Sequence, residues 1–453
     1  MNSLATTAAF KPHSTPLDPA VAARRREAVL RGDEPLRILL PSYRSDPHTG
    51  GQGIYMDYMS RAILELGHEV EVISGPPYPN LDPRIMLTKL ESLDLYAKPK
   101  NWMGIPSYPK GASKTWTDIQ EYLTHITGGF GELKSFGERL YRHMRTRHQN
   151  YDVVHDNQTL CWGLLKVRAL GLPVAGTIHH PITRDRDIAI AHAQSYKLKL
   201  LIRRWHSFVN MQKKVARRLD PVIVVSESTK RDVVTEFGVD PKHMKVVLHG
   251  INATDFHPEP GIARKPNRIM CVTSADVALK GLMYLIHAYA ELLKTKPDLE
   301  LLVVSKLREG NTSRALDELG IRDKVKFVHG LTIEEMRHYY AEATVAVSPS
   351  VYEGFGFPAG EAMACGVPVV TTDGGSLPEV VGDAGIVVPT RDSAALAAAI
   401  GDLLDNPEKR AHYGAAGYRR IQEKFLWTRA AADAVAVYKD AIAKHYGMQR
   451  ADD

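Results

Sequence analysis

Two glutamates, eight positions apart, flank a glycine-bearing turn in the second half of the chain. Glu353 stands immediately before the sequence Gly-Phe-Gly-Phe-Pro, and Glu361 follows it within a predicted helix. Carboxylates accept hydrogen bonds strongly from neighbouring hydroxyl groups, so two of them around one turn indicate a hydroxyl-rich ligand. Each also has a simpler interpretation, Glu361 as a complement to the helix dipole and Glu353 as a solvated loop charge.

The turn itself has the composition of a ligand-binding loop. Gly354 and Gly356 let the backbone pass close to a ligand, and Pro358 suits the first turn of a helix. The apolar run 344–347 predicts a strand that delivers the turn to the carboxyl edge of a parallel sheet, where open α/β folds bind ligands. Unpaired N–H groups at the helix start would favour an anionic or hydroxyl-rich group there.

Lys280 is the candidate cation for an anionic ligand. It precedes Gly281 and a predicted helix, and it follows the apolar run 269–272. A lysine in that position could neutralise phosphate charge. The alternative is an ordinary solvated lysine before a glycine.

The first half of the chain contributes further candidates. Gly51 and Gly53 follow the first predicted strand, where glycines allow backbone amides to approach a phosphate. Their spacing is not G-x-G-x-x-G and gives little support to NAD binding, and a plain tight turn is the alternative. His179 and His180 end another predicted strand, and a buried, satisfied histidine is the alternative for either.

Twelve short apolar runs alternate with helical patterns and predict two doubly wound α/β domains. The runs are mostly continuous, as expected for parallel strands buried on both faces. They are 36–40, 70–73, 153–154, 174–178, 222–225 and 246–248 in the first half, and 269–272, 299–304, 325–328, 344–347, 369–371 and 386–388 in the second. Helices are predicted between them, including 54–66, 281–293, 333–341 and 393–404.

The predicted organisation is a mobile tail over residues 1–34, an N-terminal domain over 35–258, a C-terminal domain over 259–426, and a final helix and tail over 427–453. A short helix at the end of the N-terminal tail is left open. The final helix is expected to pack back across the domain junction. Residues 76–150 break the rhythm with many Pro, Tyr and Lys residues. They are interpreted either as a functional insertion at the mouth of the first domain or as an irregular surface excursion.

Composition limits the function classes. A chain of 453 residues with a hydrophobic fraction of 44% and a charged fraction of 24% is typical of a soluble protein of two domains. Its three cysteines have no disulfide or metal spacing, and no signal or spanning segment is evident, so a cytoplasmic location is expected. The net charge of +6 arises from dispersed basic residues without a nucleic-acid-binding motif, so nucleic acid is not an expected partner.

The segment 348–368, followed by Gly-Gly-Ser-Leu-Pro-Glu-Val-Val-Gly at 374–382, resembles the donor-site signature of GT-B-fold glycosyltransferases, specifically the large retaining family four (glycosyl transferases group 1). The similarity extends over residues 36–425 and is strongest between 344 and 389. It implies two facing Rossmann-like domains, the first for the acceptor and the second for the nucleotide-sugar donor. It also implies sugar transfer to an acceptor hydroxyl with retention of configuration, in glycan, glycolipid or cell-envelope synthesis, without a cofactor or metal.

By this resemblance the donor lies against the glycine-bearing turn. Glu353 would bind hydroxyls of the donor sugar, and Glu361 would bind the ribose hydroxyls of the nucleotide. Backbone groups of Gly356 and Phe357 would line the sugar pocket. Glu353 is also the first of three predicted catalytic residues.

The other two predicted catalytic residues are Lys280, which would neutralise the donor diphosphate, and His179, which would lie near the reacting sugar. The loop containing Gly51 and Gly53 would approach the same diphosphate. Family members usually carry an arginine five residues before the lysine, where this chain has Ala275. Another cation would then replace it, or the lysine and helix N–H groups would suffice.

Other interpretations stay open. Asp185-Arg-Asp187 has the D-x-D form of metal-binding transferases of a different fold, a triplet that also arises by chance. Residues 196–218 could form a basic amphipathic helix that docks on the inner face of a membrane, or a domain helix with a solvated basic face. A nucleotide-sugar epimerase of the same architecture and a non-catalytic nucleotide-sugar-binding protein are the rival functions.

Overall fold

The computed structural model describes residues 18–46, 51–97, 108, 115–274 and 277–448. These residues form two compact units, each built around a parallel β-sheet. The first unit contains the chain up to Val224, Lys230–Val247 and the chain from Ala430 onward, and the second contains Val225–Thr229 and Leu248–Arg429.

The first unit has a seven-stranded sheet in the order β3-β2-β1-β4-β5-β6-β7. Its strands are β1 (Arg37–Ser42), β2 (Glu69–Ser74), β3 (Met86–Lys89), β4 (Val153–Asn157), β5 (Val174–Ile178), β6 (Val222–Val224) and β7 (Met244–Val246). The helices of this part of the chain are α1 (Pro19–Arg31), α2 (Gly51–Glu65), α3 (Trp116–Ile126), α4 (Glu132–Met144), α5 (Trp162–Arg168), α6 (Thr183–His192), α7 (Tyr196–Trp205), α8 (Val209–Ala216) and α9 (Glu227–Phe237).

The second unit has a six-stranded sheet in the order β10-β9-β8-β11-β12-β13. Its strands are β8 (Arg268–Val272), β9 (Glu300–Val304), β10 (Val325–Val328), β11 (Val345–Ser348), β12 (Val369–Thr372) and β13 (Ile386–Val388). The helices that follow in the chain are α10 (Leu282–Leu293), α11 (Asn311–Glu318), α12 (Ile333–Glu342), α13 (Phe357–Ala364), α14 (Leu377–Val381), α15 (Ser393–Asp405), α16 (Pro407–Lys424) and α17 (Trp427–Tyr446).

Continuous apolar runs produced the strands for the expected reason. All pairs of neighbouring strands are parallel, and every residue of β4, β5 and β12 is buried. Helices packed on both faces of a parallel sheet remove water from both sets of side chains. The twelve predicted strands are therefore confirmed, with the run 246–248 shifted to β7.

The insertion over 76–150 carries regular structure that the sequence did not predict. Its strand β3 pairs in parallel with β2 at the edge of the sheet. Its helices α3 and α4 are joined by Arg139, which pairs with the buried carboxylates of Asp118 and Glu121 at 2.6 and 2.7 Å. Only part of the insertion is described; β3, α3 and α4 contradict an irregular excursion, whereas residues 76–85 and 90–97 contain no helix or strand.

The N-terminal segment also differs from expectation. Residues 1–34 were predicted to be a mobile tail, but α1 spans part of that range and buries Val29 and Leu30. Asp18 caps α1 through Ala20 N, and Gly32 ends it in a left-handed conformation. The helix that was left open for the end of this range is therefore present as α1, and its packed residues are not part of a mobile tail.

The C-terminal helix packs with the first unit from Ala430 onward, which confirms that it returns across the junction. Its buried Tyr438 hydroxyl is hydrogen-bonded to Nδ1 of His155 on β4. Residues 248–258, predicted to belong to the N-terminal domain, group with the second unit instead. Among the described helices, none combines the length and apolar character needed to cross a bilayer.

The close approach of α4 to α5 provides a test of the packing. A Cβ atom at Gly163 would lie 2.1 Å from the carbonyl oxygen of Gly137. Because the colliding atom belongs to the backbone, no change of side-chain rotamer can remove the collision. We expect Gly163→Ala to destabilise the first unit by about 3 kcal/mol, the upper end of the usual cost of overpacking. Urea unfolding followed by tryptophan fluorescence measures this change.

Gly261→Ala is the matched control, because no heavy atom lies within 4 Å of the added methyl group. It should leave the unfolding midpoint unchanged or slightly raised. Equal midpoints for the two variants would show that α4 and α5 do not pack as closely as described.

Candidate active site

Lys280 and Glu353 lie at the topological switch point of the second sheet. Strands β8 and β11 are neighbours at its centre, and the chain winds outward from them in opposite directions. Lys280 follows β8 and Glu353 follows β11, so both stand at the carboxyl edge where open α/β sheets bind ligands.

Backbone contacts hold the two loops together. Val351 N donates a hydrogen bond to Leu279 O at 2.8 Å. Gly281 has a φ of +64°, and a Cβ atom there would lie 1.9 Å from Pro349 O. Because no other residue avoids both the left-handed strain and this collision, the glycine after Lys280 is required by the approach of the β11 loop.

Lys280 and Glu353 are in direct contact. Lys280 Nζ lies 2.8 Å from Glu353 Oε1, and the Ser350 hydroxyl donates to the same oxygen at 2.8 Å. The lysine side chain is 33% exposed and the glutamate side chain 12%. The partly exposed Lys280 ammonium therefore lies beside the Glu353 carboxylate. Among the described residues, Oε2 of that carboxylate has no hydrogen-bond partner.

The Gly-Gly-Ser segment at 374–376 supports the Glu353 turn from behind. Ser376 N donates to Glu353 O at 3.0 Å, and the Ser376 hydroxyl donates to Phe355 O at 2.7 Å. A Cβ atom at Gly375 would lie 2.2 Å from Glu353 O, so a side chain there would displace the turn. This contact explains why the two parts of the signature occur together.

Glu361 occupies a different environment from Glu353. Its Oε2 lies 3.2 Å from the hydroxyl of Tyr340, a residue that is 1% exposed. Burial raises the pKa of Glu361 to about 7, and the hydrogen bond from Tyr340 offsets only part of that rise. Burial and the nearby Glu361 charge raise the pKa of Tyr340 well above its ordinary value.

Gly356 and Phe357 begin α13. Gly356 has a φ of +104° and stands at the N-cap position without a side-chain hydrogen bond. The Phe357 ring stacks on His249 with a centroid separation of 5.5 Å and an angle of 15°. Burial lowers the pKa of His249 to about 3, so the imidazole is neutral and serves as an aromatic support. The first turn of α13 is therefore anchored by its side chain and offers its backbone N–H groups.

In the first unit, the predicted glycines begin α2. Gly51 is the first residue of the helix and is exposed. Gly53 is buried, and a Cβ atom there would lie 2.0 Å from Asp46 O, so the glycine is required by the returning backbone. The preceding residues 47–50 of the predicted glycine loop, and Ala275 in place of the family arginine, lie outside the described residues.

His179 follows β5 and is held by the side chains of Asn157, the last residue of β4, and Gln158, the next residue. Its Nε2 lies 2.6 Å from Asn157 Oδ1, and its backbone N donates to Gln158 Oε1 at 2.6 Å. Gln158 Nε2 in turn donates to His180 O at 2.9 Å. Gln158 thus acts as a clamp that continues the strand pairing for two residues beyond β5. His180 is directed elsewhere, with Nε2 3.0 Å from Asp185 Oδ2.

The clamp lies in a strained loop. Gln158 has a φ of +53° and Leu160 a φ of +47°, values that non-glycine residues adopt at a cost of about 1 kcal/mol each. Both residues are almost fully buried, so the fold maintains the strain. Strain of this kind is concentrated at functional sites.

Sequence reasoning missed the residues that support the site. Ser350, Ser376 and Tyr340 contact predicted site residues, as do Asn157 and Gln158. The polar pair at 157–158 follows an apolar run at a strand end, a signal that could have marked it. Nothing in the sequence around Tyr340 indicates that its hydroxyl reaches a glutamate 21 positions away.

No group of three or more His, Cys, Asp or Glu side chains suited to a metal ion occurs among the described residues. In the D-x-D triplet, Asp185 contacts His180, and Asp187 pairs with the intervening Arg186 at 2.7 Å. The two carboxylates therefore have separate partners within the first unit.

Two sequence-family models together match residues 49–420 of the chain. The model described as Glycosyltransferase Family 4 matches residues 49–255, and the model described as Glycosyl transferases group 1 matches residues 252–420. The two matches meet close to the start of the second unit at Leu248.

Curated relatives cover about nine tenths of the chain. An MMP alpha-(1->4)-mannosyltransferase of Mycolicibacterium hassiacum is 47% identical over 90% of this chain and 99% of its own length. A D-inositol 3-phosphate glycosyltransferase of Streptomyces bingchenggensis is 26% identical over 91% of this chain and 90% of its own length.

Solved structures share the fold. Sucrose-phosphate synthase from Thermosynechococcus elongatus aligns with a TM-score of 0.68 at 24% identity, covering 90% of this chain and all of its own. Anabaena Alr3699/HepE, solved in complex with UDP, aligns with a TM-score of 0.63 at 16% identity over 88% of this chain and 99% of its own. At these identities the likeness establishes the architecture alone.

Burial of Glu361 gives a pH-dependent prediction. Its folded pKa of about 7 lies above the unfolded value, so ionisation opposes folding increasingly from about pH 4 to pH 7 and by a constant amount above. We expect Glu361→Gln to raise the Tm of the ligand-free protein at pH 8 by ~2–4 °C and to leave it nearly unchanged at pH 5.

Differential scanning calorimetry at the two pH values measures this shift. Glu318→Gln, at an exposed position, is the control and should change neither Tm. A Glu361→Gln effect of equal size at both pH values would contradict the assigned ionisation.

The Gln158 clamp gives a second prediction. If Gln158 acts by positioning His179, Gln158→Ala should lower kcat by about tenfold, or 1.4 kcal/mol, with a smaller change in donor KM. The double variant Gln158→Ala/His179→Ala should then be no slower than His179→Ala alone. Additive losses in kcat would show that Gln158 acts independently of the histidine.

Proposed function

The chain belongs to the group 1 glycosyltransferases and has the GT-B fold, and from this premise we propose that it is a retaining mannosyltransferase. Its donor would be a nucleoside diphosphate mannose and its acceptor a hydroxyl group of a glycan, joined in an α-(1→4) linkage. The observation that carries the proposal is the contact of Lys280 with Glu353 at the β8/β11 switch point.

The charges at this contact suit the departure of a diphosphate. In the transfer, the bond from the anomeric carbon to the β-phosphate oxygen breaks, and the acceptor oxygen forms a bond to the same face of that carbon. The acceptor proton passes to the departing phosphate, as in the front-face mechanism favoured for the family. Negative charge grows on the diphosphate as the bond breaks, so the partly exposed Lys280 ammonium stabilises the transition state more than the ground state.

The two glutamates divide the recognition of the donor. Glu353 contacts the Lys280 ammonium through one carboxylate oxygen and would offer the other as an acceptor to the sugar hydroxyls. Glu361 lies within α13 beside Tyr340, and once it is ionised it would accept hydrogen bonds from the ribose hydroxyls. Its raised pKa makes the free protein bind the donor less well below pH 7. His179 stays a predicted catalytic residue on the resemblance to the family.

The sugar and linkage are proposed from the Mycolicibacterium relative, at 47% identity over 99% of its length. Identity at that level over a complete chain supports a shared reaction more strongly than the inositol-phosphate glycosyltransferases do at 26%. Because the usual family arginine is absent, Lys280 and backbone N–H groups would together neutralise the charge of the diphosphate.

The proposal is tested by incubating the protein with UDP-, GDP- and ADP-sugars, with and without α-mannosides as acceptors. We expect release of nucleoside diphosphate from a mannose donor that depends on the acceptor, and a product whose new anomeric centre is α by NMR. A β product would overturn retention. Acceptor-independent conversion of the donor would indicate an epimerase, and binding without turnover would indicate a non-catalytic binding protein.

Substitutions at the contact pair give a quantitative prediction. Lys280→Ala and Glu353→Gln should each lower kcat/KM by at least about tenfold, equivalent to 1.4 kcal/mol of transition-state stabilisation. Lys280→Ala should also weaken inhibition by the nucleoside diphosphate more than inhibition by the monophosphate, because the lysine contacts the β-phosphate. Steady-state kinetics and competition measurements provide both values.

Lys324→Ala and Glu318→Gln are matched controls at exposed positions and should retain wild-type rates. Wild-type kcat/KM in folded Lys280→Ala or Glu353→Gln protein would remove the residue from the site. Equal loss of diphosphate and monophosphate inhibition in Lys280→Ala would show that the lysine acts only by holding Glu353.

A further inference from the structure

Helix α7 has an unusual composition for a helix of a folded unit. Each of its ten residues, Tyr-Lys-Leu-Lys-Leu-Leu-Ile-Arg-Arg-Trp, is either a large apolar residue or a basic one. None of the ten is buried. Apolar helix residues normally pack against a core, so this helix offers apolar surface that the first unit does not cover.

The exposed apolar side chains are concentrated on two helices. Of the fifteen large hydrophobic residues that are exposed in the described part of the chain, seven lie on α3 and α7. On α7 they are Tyr196, Leu198, Leu200 and Leu201, and on α3 they are Trp116, Leu123 and Ile126. Scattered exposed leucines need no explanation, but such a concentration indicates an interaction surface.

The two helices are adjacent, so their exposed residues form one surface. Arg204 Nη2 of α7 donates to Thr127 Oγ1, directly after α3, at 2.8 Å. A Cβ atom at Gly128 would lie 2.7 Å from Leu201 Cδ1. On α3 the acidic Asp118 is turned to the interior, where it pairs with Arg139. The outward face of α3 is therefore apolar, and we call it, together with α7, the α3/α7 face.

The segment that contains α7 carries charge of a single sign, and the two acidic residues of α3, Asp118 and Glu121, are buried against Arg139. Residues 188–219 contain eight Lys and Arg residues and no Asp or Glu. On α7, Lys197, Arg203 and Arg204 are exposed beside the leucines. An anionic bilayer takes up apolar side chains at the boundary with its acyl chains, and its headgroups bind the basic groups beside them. An apolar surface of a protein partner would leave the positive charges between the leucines unpaired.

We propose that the α3/α7 face docks the protein on a membrane that bears anionic lipid headgroups. Leu198 and Leu201 enter the boundary between headgroups and acyl chains, and Lys197 and Lys199, which flank them on the helix, contact the phosphates. Basic residues near an anionic leaflet and buried apolar area add to one binding free energy, so both kinds of side chain are needed. This inference goes beyond the proposed function and does not depend on it.

Vesicle co-sedimentation of the full chain, without any sugar nucleotide, tests the proposal. We expect wild-type protein to pellet with vesicles of equimolar phosphatidylglycerol and phosphatidylcholine, and to stay in solution with phosphatidylcholine alone. Lys197→Glu/Lys199→Glu and Leu198→Ser/Leu201→Ser should each reduce binding to the anionic vesicles by at least tenfold. Raising the salt concentration should weaken wild-type binding, because the charged groups are screened.

Two variants serve as matched controls. Lys324→Glu/Lys326→Glu makes the same change of charge at the same spacing on the second unit, and Leu319→Ser removes an exposed leucine there. Both should bind anionic vesicles like the wild type. Wild-type protein that stays in solution with anionic vesicles, or binding lost equally in the Lys324/Lys326 control, would overturn the proposal. So would a concentration-dependent dimer, by analytical ultracentrifugation, that Leu201→Ser abolishes.

Discussion

The candidate active site depends on the approach of two loops at the centre of the second sheet. The loop after β8 and the loop after β11 touch through backbone atoms, with Val351 N bonded to Leu279 O. Pro349 O packs so closely on Gly281 that the Cβ atom of any other residue at position 281 would collide with it. Because main chain packs on main chain, Lys280 and Glu353 are placed with little freedom, and their contact follows from the topology.

The support behind these loops has the same character. Ser376 uses its N–H and hydroxyl to satisfy carbonyl groups of the Glu353 turn, and Gly375 leaves space for them. Carbonyl groups at the end of a buried strand would otherwise lose hydrogen bonds to water without replacement. Residues of the signature therefore hold the backbone of the site in place as well as supplying its polar groups. Replacing one of its glycines would disturb the site as replacing a glutamate would.

Two parts of the molecule retain features that cost stability. Glu361 is a half-buried acid with a raised pKa, and Gln158 lies in a left-handed backbone conformation. Folding alone would favour a neutral residue at the first position and a glycine at the second. Both features occur next to predicted site residues, which is where a fold is expected to sacrifice stability for function.

The sequence by itself determined the strands, the alternation with helices and the donor signature, because continuous apolar runs and glycine positions reflect local constraints. It could not reveal β3, whose four residues are only partly buried and whose pairing with β2 comes from the sheet edge. It also could not show that the helix at the end of the N-terminal tail packs on the first unit, since its apolar residues are few and its anchor, Arg25 bonded to Asp152, joins positions 127 residues apart.

Only the tertiary structure decided which charges meet. Lys280 contacts Glu353 across 73 positions, and Tyr340 reaches Glu361 from a different helix. Such pairs depend on the order of strands in the sheet, and many orders are compatible with one pattern of apolar runs. Local composition fixes the elements and their ends, whereas the partner of each polar group is set by packing among elements that are distant in the chain.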